Sequence, residues 1–346
     1  MKASVSSPVA FVFPGQGSQF PGMGRELDRC GQADGELVAM AEETTGLPVS
    51  ELMMRAPATT IANPEIAQVL VFVWSLTVFH GLARRGFHPA AVAGHSVGEY
   101  AALTACGSLD QATALSLVAC RGRLMAEAAL RAPGTMASIV GLDYDVVQRL
   151  CRSSSAGNEF AVIANQNSPR QVVVSGTLGS VSDVVAAARE AGAIRTRQLA
   201  VGGAYHSPLM DCAGAAMTTR LASVHLRTPG VPLVSSATGR VVTDIPAYRA
   251  DLMNQLTGPV RWQSAVGALV GLGVRTFVEV GPGKVLSGLG REMVRTGHHL
   301  TAAEAIRLTD ANRSDGRDPR QASDTRDNPA TEGLVDSSVS YLRERT

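Results

Sequence analysis

Short apolar runs alternate with helical patterns along the N-terminal part of the chain. Val9–Phe13 is uniformly apolar and stops at Pro14-Gly15, which predicts a buried strand entering a tight turn. Asn63-Pro64 supplies a cap and a first-turn proline for a long helix. Ala90–Ala93 predicts a second buried strand, and a helical pattern over Glu99–Ala105 follows it. The repeated order of strand, turn and helix predicts an α/β fold with crossover helices.

The pattern changes between residues 132 and 201. Strands and helices are predicted there in the order βαββαβ, over residues 136–142, 144–151, 160–164, 171–175, 181–191 and 195–201. A polar loop, Asn165–Arg170, separates the two central strands. This order is typical of a ferredoxin-like unit, so we predict a small subdomain over 132–201 that interrupts a larger one.

The end of the chain has a third pattern. Between Thr309 and Gly333 the only apolar residues are Ala311, Ala322 and Ala330. Such a segment buries too little apolar surface to offset its ordering entropy. We therefore predict a disordered tail over residues 309–346.

Composition narrows the class of protein. Hydrophobic residues make up 45% of the 346 positions and charged residues 18%, which is enough for a sizeable core. The 31 basic and 30 acidic residues nearly cancel, which argues against a nucleic-acid partner. The cysteines form no Cys-x-x-Cys pair, so neither a disulfide framework nor a metal site is predicted. The most apolar stretch, Ile66–Phe79, is shorter than the roughly 20 residues that span a bilayer. We expect a soluble, cytoplasmic protein without a membrane segment.

A candidate nucleophile follows the second predicted strand. Gly94-His95-Ser96-Val97-Gly98 fits Gly-x-Ser-x-Gly, in which a sharp turn between strand and helix exposes the serine. Taken alone the motif is weak, and an ordinary turn serine is the alternative. A nucleophilic serine needs a base, and His206 is the best placed histidine, because it ends a glycine-rich turn well after Ser96. A structural turn histidine is the equally weighted alternative.

A second glycine-rich turn, Gly15-Gln16-Gly17, follows the first strand. No lysine stands at P-loop spacing and Gly-x-Gly-x-x-Gly is absent, so a phosphate cradle is not supported. The turn can instead aim a backbone N–H at a developing oxyanion, beside the N–H of Val97.

Six motifs together resemble one family. FPGQGSQ, GHSVGEY, RGR, GAYHSPLM, GPVRW and EVGPGKVL occur in the order and approximate spacing of the malonyl-CoA:acyl-carrier-protein transacylases, at residues 13–19, 94–100, 121–123, 203–210, 258–262 and 279–286. Polyketide-synthase acyltransferases share the pattern. The resemblance covers roughly residues 8–300.

The resemblance implies a fold and a reaction. The fold is an α/β-hydrolase-like large subdomain with a parallel sheet, over 1–131 and 202–308, with the ferredoxin-like subdomain inserted. A malonyl group passes from malonyl-CoA to the phosphopantetheine thiol of an acyl carrier protein through a serine acyl-enzyme. No metal and no cofactor beyond these substrates is implied. A freestanding enzyme of fatty-acid or polyketide synthesis is expected, and a monomer is favoured.

The resemblance also assigns roles to single residues. It makes Ser96 the nucleophile and His206 the base, oriented by a main-chain carbonyl near Gln255. The N–H groups of Gln16 and Val97 match the oxyanion hole. Arg121 matches the arginine that holds the malonate carboxylate, and the acyl-specificity positions are Val97, Ala204 and Tyr205.

Two departures keep alternatives open. Members of the family usually carry Gln-Pro-Ala in the helix before the serine turn, where this chain has Ala67-Gln68-Val69. Tyr205 adds a phenol beside His206. A transacylase for another acyl group therefore remains possible, as does a related acyl-thioester hydrolase, although Arg121 argues against the latter. A non-catalytic scaffold that binds carrier proteins is disfavoured by the intact Ser96 and His206.

The partner surface is expected to be basic, because carrier proteins of these systems are acidic. The candidates are Arg195, Arg197 and Lys284, near the rim of the cleft.

Overall fold

The computed structural model describes residues 8–29 and 34–314. In these ranges the strands are β1 (Val9–Phe13), β2 (Ala91–Gly94), β3 (Thr135–Val140), β4 (Ala161–Ser168), β5 (Gln171–Gly176), β6 (Arg195–Gln198), β7 (Leu233–Val234), β8 (Thr276–Glu279) and β9 (His298–Thr301).

The helices of the same ranges are α1 (Gly24–Arg29), α2 (Gly35–Thr45), α3 (Val49–Arg55), α4 (Ala58–Ile61), α5 (Pro64–Arg84), α6 (Gly98–Ala105), α7 (Gln111–Arg131), α8 (Tyr144–Ser153), α9 (Leu178–Glu190), α10 (Asp211–Ala222), α11 (Ile245–Asn254), α12 (Trp262–Gly271), α13 (Val285–Met293) and α14 (Ala302–Ser314). A 3₁₀ turn over Pro208–Met210 leads into α10.

The larger sheet is parallel and has the order β7-β2-β1-β8-β9. Phe13 pairs with Gly94 at the carboxyl ends of β1 and β2. The two glycine-rich turns that follow these strands therefore lie side by side at one edge of the sheet, where open α/β sheets usually bind ligands.

The helix α5 forms much of the core of this subdomain. It is 21 residues long and apolar enough to cross a membrane by length and composition. However, 78% of its apolar window is buried inside the protein. Its burial on all sides explains why hydrophobic residues run along the helix without a polar face.

The smaller sheet is antiparallel, in the order β4-β5-β3-β6. With α8 and α9 it makes the predicted βαββαβ unit. Side chains alternate between its two faces, as the period of a strand requires: Val172 and Val174 of β5 pack in the subdomain core, whereas Val173 faces the cleft between the subdomains. The predicted fold class is thereby confirmed, and the structural relatives described below share it.

One predicted loop is a strand. β4 continues to Ser168, so only residues 169 and 170 connect it to β5. The predicted loop over Asn165–Arg170 was therefore too long. Gln166 N donates to Val260 O and Val260 N donates to Ala164 O, both at 2.8 Å. The polar residues of β4 are thus held extended from two sides, by β5 along the hairpin and by Val260 from a distant segment.

The predicted start of the tail also needs correction. Helix α14 continues through Ser314. Ala302, Ala305, Ile306 and Thr309 are buried and recur at helical spacing, so the first residues of the predicted tail belong to an amphipathic helix. The remainder of that prediction, 315–346, lies outside the described residues.

Candidate active site

Ser96 stands at a strained turn between β2 and α6. Its φ is +53°, in the left-handed region that non-glycine residues seldom adopt. The turn closes only with glycine on either side: a Cβ on Gly94 would lie 2.2 Å from Glu99 N, and one on Gly98 would lie 2.2 Å from Phe13 O. The sequence thus places the serine hydroxyl at the amino end of α6.

His206 meets this serine from the large subdomain's second segment. Its Nε2 lies 2.8 Å from Ser96 Oγ, and its own φ is +57°. On the other side of the ring, Nδ1 lies 2.8 Å from Gln255 O and 3.1 Å from Gly258 O. Carbonyls only accept, so Nδ1 carries the proton and Nε2 is left free to accept the serine proton. Both carbonyls lie in the segment between α11 and α12.

The histidine is held in its neutral form. Burial, and next the positive charge of Arg121, lower the pKa of His206 to about 3. The carbonyls that bind Nδ1 oppose this shift only in part. A neutral imidazole is the form that can take a proton from Ser96.

The two expected oxyanion donors lie beside the serine. Gln16 lines the cleft with Ser96, and Val97 is the next residue of the turn. Within the described residues the backbone N–H groups of Gln16 and Val97 have no protein acceptor. Both are therefore available to an incoming oxygen.

Arg121, on α7, contacts the serine from outside the described lining of the cleft. It is 1% exposed, and no acidic side chain of the described residues forms a salt bridge with it. Nη2 donates to Ser96 Oγ at 3.0 Å and to Gln255 Oε1 at 3.1 Å, and Nη1 donates to Gln68 Oε1 at 2.7 Å. The Nε–H is buried and has no partner among the described residues.

The other residues that the resemblance assigns to acyl specificity differ in their placement. Tyr205 lines the cleft, and its buried hydroxyl makes no hydrogen bond of ordinary geometry in the described part of the chain, although the side chain of Gln16 and the backbone of Gly202 lie close to it. Burial raises the pKa of Tyr205 to about 12. The side chains of Val97 and Ala204 are buried and do not belong to the described cleft lining. Gln68 stands outside the family's usual Gln-Pro-Ala sequence, but its side-chain oxygen accepts a hydrogen bond from Arg121 and so contributes to the site.

Sequence reasoning missed three contributors. These are the side chain of Gln255, the carbonyl of Gly258 and the amide of Gln68 as a partner of Arg121. Gln68 and Gln255 are 53 and 134 residues away from Arg121, respectively, so no local pattern signals these contacts.

The cleft lies between the two subdomains and encloses about 390 Å³. Met136, Ser138 and Val173 of the small sheet face Ser96 and His206 across it. Among the described residues, no group of three or more His, Cys, Asp or Glu side chains is placed to hold a metal ion.

The three basic residues suggested for partner binding are all exposed. Arg195 and Arg197 stand on the edge strand β6 and line the cleft. Lys284 immediately precedes Val285, which also lines it.

The family model of the acyl transferase domain matches residues 10–328. The fold and the site thus define an acyltransferase. The chain is 37% identical to the malonyl CoA-acyl carrier protein transacylase of Bacillus subtilis over 289 residues, covering 84% of this chain and 91% of the relative. It is 36% identical to the enzyme of that name from Escherichia coli K12 over 295 residues, covering 85% and 94%.

Solved structures agree. The malonyl-CoA:acyl carrier protein transacylase of Xanthomonas oryzae superposes with a TM-score of 0.83 at 36% identity, over 88% of this chain and 98% of that one. A malonyl-transacylase in complex with its type II polyketide-synthase acyl-carrier protein gives 0.82 at 32% identity, over 88% and 100%. The chain belongs to the malonyl-CoA:acyl carrier protein transacylase family.

Proposed function

We propose that this protein transfers the malonyl group of malonyl-CoA to the phosphopantetheine thiol of an acyl carrier protein. The observation that carries the proposal is a buried guanidinium, without a salt-bridge partner among the described residues, beside a serine–histidine pair. Family membership supports the same reaction.

The guanidinium of Arg121 suits a free carboxylate. Of its five N–H donors, three are used by Gln68, Ser96 and Gln255, which leaves the Nε–H and one Nη1–H. A buried donor without a partner costs about 1–3 kcal/mol. A malonyl carboxylate would supply an acceptor for the unpaired N–H and an opposite charge in direct contact with the guanidinium.

The first half of the reaction forms the acyl-enzyme. Ser96 Oγ attacks the thioester carbonyl, and its proton passes to His206 Nε2. The carbonyls of Gln255 and Gly258 accept from Nδ1–H and stabilise the imidazolium that forms. The N–H groups of Gln16 and Val97 bind the oxyanion. When the C–S bond breaks, the CoA sulfur leaves and takes the proton from His206.

The second half reverses these roles. The carrier's thiol gives its proton to His206 and attacks the serine ester, and Ser96 Oγ leaves and is reprotonated. Every group in this scheme belongs to the protein, to the malonyl-CoA thioester or to the carrier's thiol. The two substrates use one site in turn, which predicts ping-pong kinetics.

For the carrier surface we propose the basic rim formed by Arg195, Arg197 and Lys284. The rim is exposed and two of its residues line the cleft. An acidic carrier would be steered to it most strongly at low salt. We further propose that the protein works in the cytoplasm, which its similarity to the bacterial malonyl CoA-acyl carrier protein transacylases supports.

The decisive experiment incubates the protein separately with malonyl-, acetyl- and methylmalonyl-CoA and measures the mass of the intact protein. We expect the malonyl adduct to dominate and to move to a phosphopantetheinylated carrier when one is added. Ser96→Ala is the matched control and should carry no adduct, because one oxygen is lost. A dominant acetyl adduct would contradict the malonyl assignment. Rapid release of free malonate without a carrier would favour the hydrolase alternative.

A further inference from the structure

A buried carboxylate that the proposed mechanism does not use lies directly behind the active site. Glu99 belongs to α6, three residues after Ser96, and is 1% exposed. No basic side chain of the described residues forms a salt bridge with it. A buried charge without an opposite charge is costly unless hydrogen bonds satisfy it. The contacts of its two oxygens therefore decide what Glu99 does.

Both oxygens of Glu99 are occupied by donors. Oε1 accepts from Ser236 N at 3.3 Å and from the Tyr248 hydroxyl at 3.0 Å. Oε2 accepts from the Ser236 hydroxyl at 2.6 Å and from Gln255 Nε2 at 2.5 Å. The two nitrogen groups can only donate, so Glu99 must accept at both oxygens. Burial raises the pKa of Glu99, and the hydrogen bonds from Ser236, Tyr248 and Gln255 oppose that rise.

The Gln255 amide that Glu99 holds also contacts two active-site residues. Its Nε2 donates to the main-chain oxygen of Ser96 at 3.3 Å, and its Oε1 accepts from Arg121 Nη2 at 3.1 Å. An amide can be reversed by a half-turn of its last side-chain bond, so its direction depends on its partners. Glu99 accepts from the NH₂ group and thereby turns the amide oxygen toward Arg121. The reversed amide would set two donors, its NH₂ and the guanidinium, against each other.

We infer that Glu99 is a positioning residue for substrate selection, which orients the Gln255 amide and through it the Arg121 guanidinium. The inference rests on the proposed function, because it requires Arg121 to bind the malonyl carboxylate. The charges nearby are consistent with it: burial lowers the pKa of Arg121, and Tyr100 and then Glu99 oppose that shift. Glu99 touches no reacting atom, so its effect should fall on selectivity rather than on the chemical step.

The test is the ratio of malonyl to acetyl kcat/KM for formation of the acyl-enzyme. Glu99→Gln keeps the size of the side chain but offers one oxygen to the N–H donors of Gln255 and Ser236. We expect the ratio to fall at least tenfold, through a higher KM for malonyl-CoA, while the KM for acetyl-CoA stays unchanged. An unchanged ratio would overturn the inference.

A matched control is available in the same subdomain. Glu279 is another buried carboxylate, and it accepts from the backbone N–H groups of Leu286 and Ser287. Glu279→Gln makes the same chemical change away from Arg121, so it should leave the selectivity ratio within twofold of wild type. A fall in this ratio as large as that of Glu99→Gln would show that general loosening of the fold is responsible, and would overturn the inference.

Gln255→Ala tests whether Glu99 acts on Arg121 through the Gln255 amide, even if Glu99→Gln fails to fold. It removes the amide but keeps the main-chain carbonyl that orients His206. The selectivity ratio should fall as in Glu99→Gln, and the double variant should be no lower than Gln255→Ala alone. The inference would be overturned if Gln255→Ala left the malonyl-to-acetyl ratio unchanged. It would also be overturned if the losses in this ratio multiplied in the double variant. A wild-type enzyme without malonyl preference would instead overturn the proposed function, so the two failures are distinguishable.

Discussion

The two ends of the active site are held by different parts of the chain. At the reacting end, backbone geometry places Ser96 and His206: both have left-handed φ angles, and main-chain carbonyls hold the imidazole. At the acyl end, side chains hold the guanidinium of Arg121, through the amides of Gln68 and Gln255. Side-chain contacts can be exchanged without rebuilding a turn, whereas strained backbone cannot.

This difference separates chemistry from selection. Substitutions at the reacting end should reduce transfer of every acyl group alike, because all of them would share the proposed serine nucleophile and histidine base. Substitutions at the acyl end should change which acyl group is preferred. Gln255 joins the two ends, since its carbonyl contacts His206 and its amide contacts Arg121.

The largest effect is expected for His206→Ala. Loss of the general base should slow acylation by roughly 10²–10⁴-fold, the usual size for such assistance. Malonyl- and acetyl-CoA should lose the same factor in single-turnover acylation. A loss below tenfold would point to another base, and a loss confined to malonyl-CoA would break the distinction between the two ends.

Arg121→Ala should act selectively. It should reduce the transition-state stabilisation of malonyl transfer by about 2–5 kcal/mol, the scale for removing one partner of a buried charge pair. Acetyl transfer should be spared or improved, because no unpaired cation then faces the uncharged acyl group. Arg121→Lys should recover only part of the malonyl rate, since it keeps the charge and loses the planar fork.

The rate constants for acylation by malonyl-CoA and by acetyl-CoA, measured on the same preparation of Arg121→Ala, check this prediction. Equal losses for malonyl- and acetyl-CoA would mean that Arg121 supports the fold of the site and does not select the substrate.

The two ends also differ in what the sequence reveals. Ser96 is signalled locally, because a strand, two glycines and a helix must surround it within a few residues. The partners of Arg121 come from α5 and from the segment after α11, and Glu99 meets Ser236 and Tyr248 137 and 149 residues away. Such long-range hydrogen bonds leave no periodicity in the sequence.

The same reason explains the successes and errors in the fold. The βαββαβ order follows from local alternation and was predictable. The polar end of β4 pairs with β5 on one side and with Val260, which is distant in sequence, on the other, and its polar residues alone do not predict a strand. The helix α14 has only a narrow apolar face over residues 302–309. Because the residues around this face are polar, the sequence pattern did not predict that the helix continues to Ser314.

A smaller effect concerns pH at the reacting end. Because burial and Arg121 lower the pKa of His206 to about 3, the imidazole stays neutral down to pH 5. A histidine with the ordinary pKa of about 6.5 would be roughly 97% protonated there and about 30-fold less effective as a base. We therefore expect inactivation by phenylmethanesulfonyl fluoride, which carries no charge, to proceed at a nearly constant rate from pH 8 to 5.

Thermal unfolding at each pH provides the control. Below pH 6.5 the unfolded chain binds a proton at this histidine and the folded chain does not, so this group makes the fold less stable as the pH falls. A fall in the inactivation rate with a midpoint near pH 6.5, in protein that remains folded, would contradict the lowered pKa.

The smallest effect is expected for Tyr205→Phe at the acyl end. The Tyr205 hydroxyl is buried and makes no hydrogen bond of ordinary geometry among the described residues, although the Gln16 side chain and the Gly202 backbone lie close to it. Burying a hydroxyl without a good partner costs about 1–3 kcal/mol. Its removal should leave the free energy of unfolding unchanged or raise it by up to about 1 kcal/mol. Tyr248→Phe is the matched control: its hydroxyl donates to Glu99 at 3.0 Å, so the same change there should lower the free energy of unfolding.

If the Tyr205 hydroxyl only packs, malonyl and acetyl kcat/KM stay within about twofold of wild type in Tyr205→Phe, because Arg121 alone then recognises the carboxylate. A tenfold loss confined to malonyl-CoA would instead show that this hydroxyl binds the acyl group, and that side chains beyond the Arg121 network set the selectivity of the site.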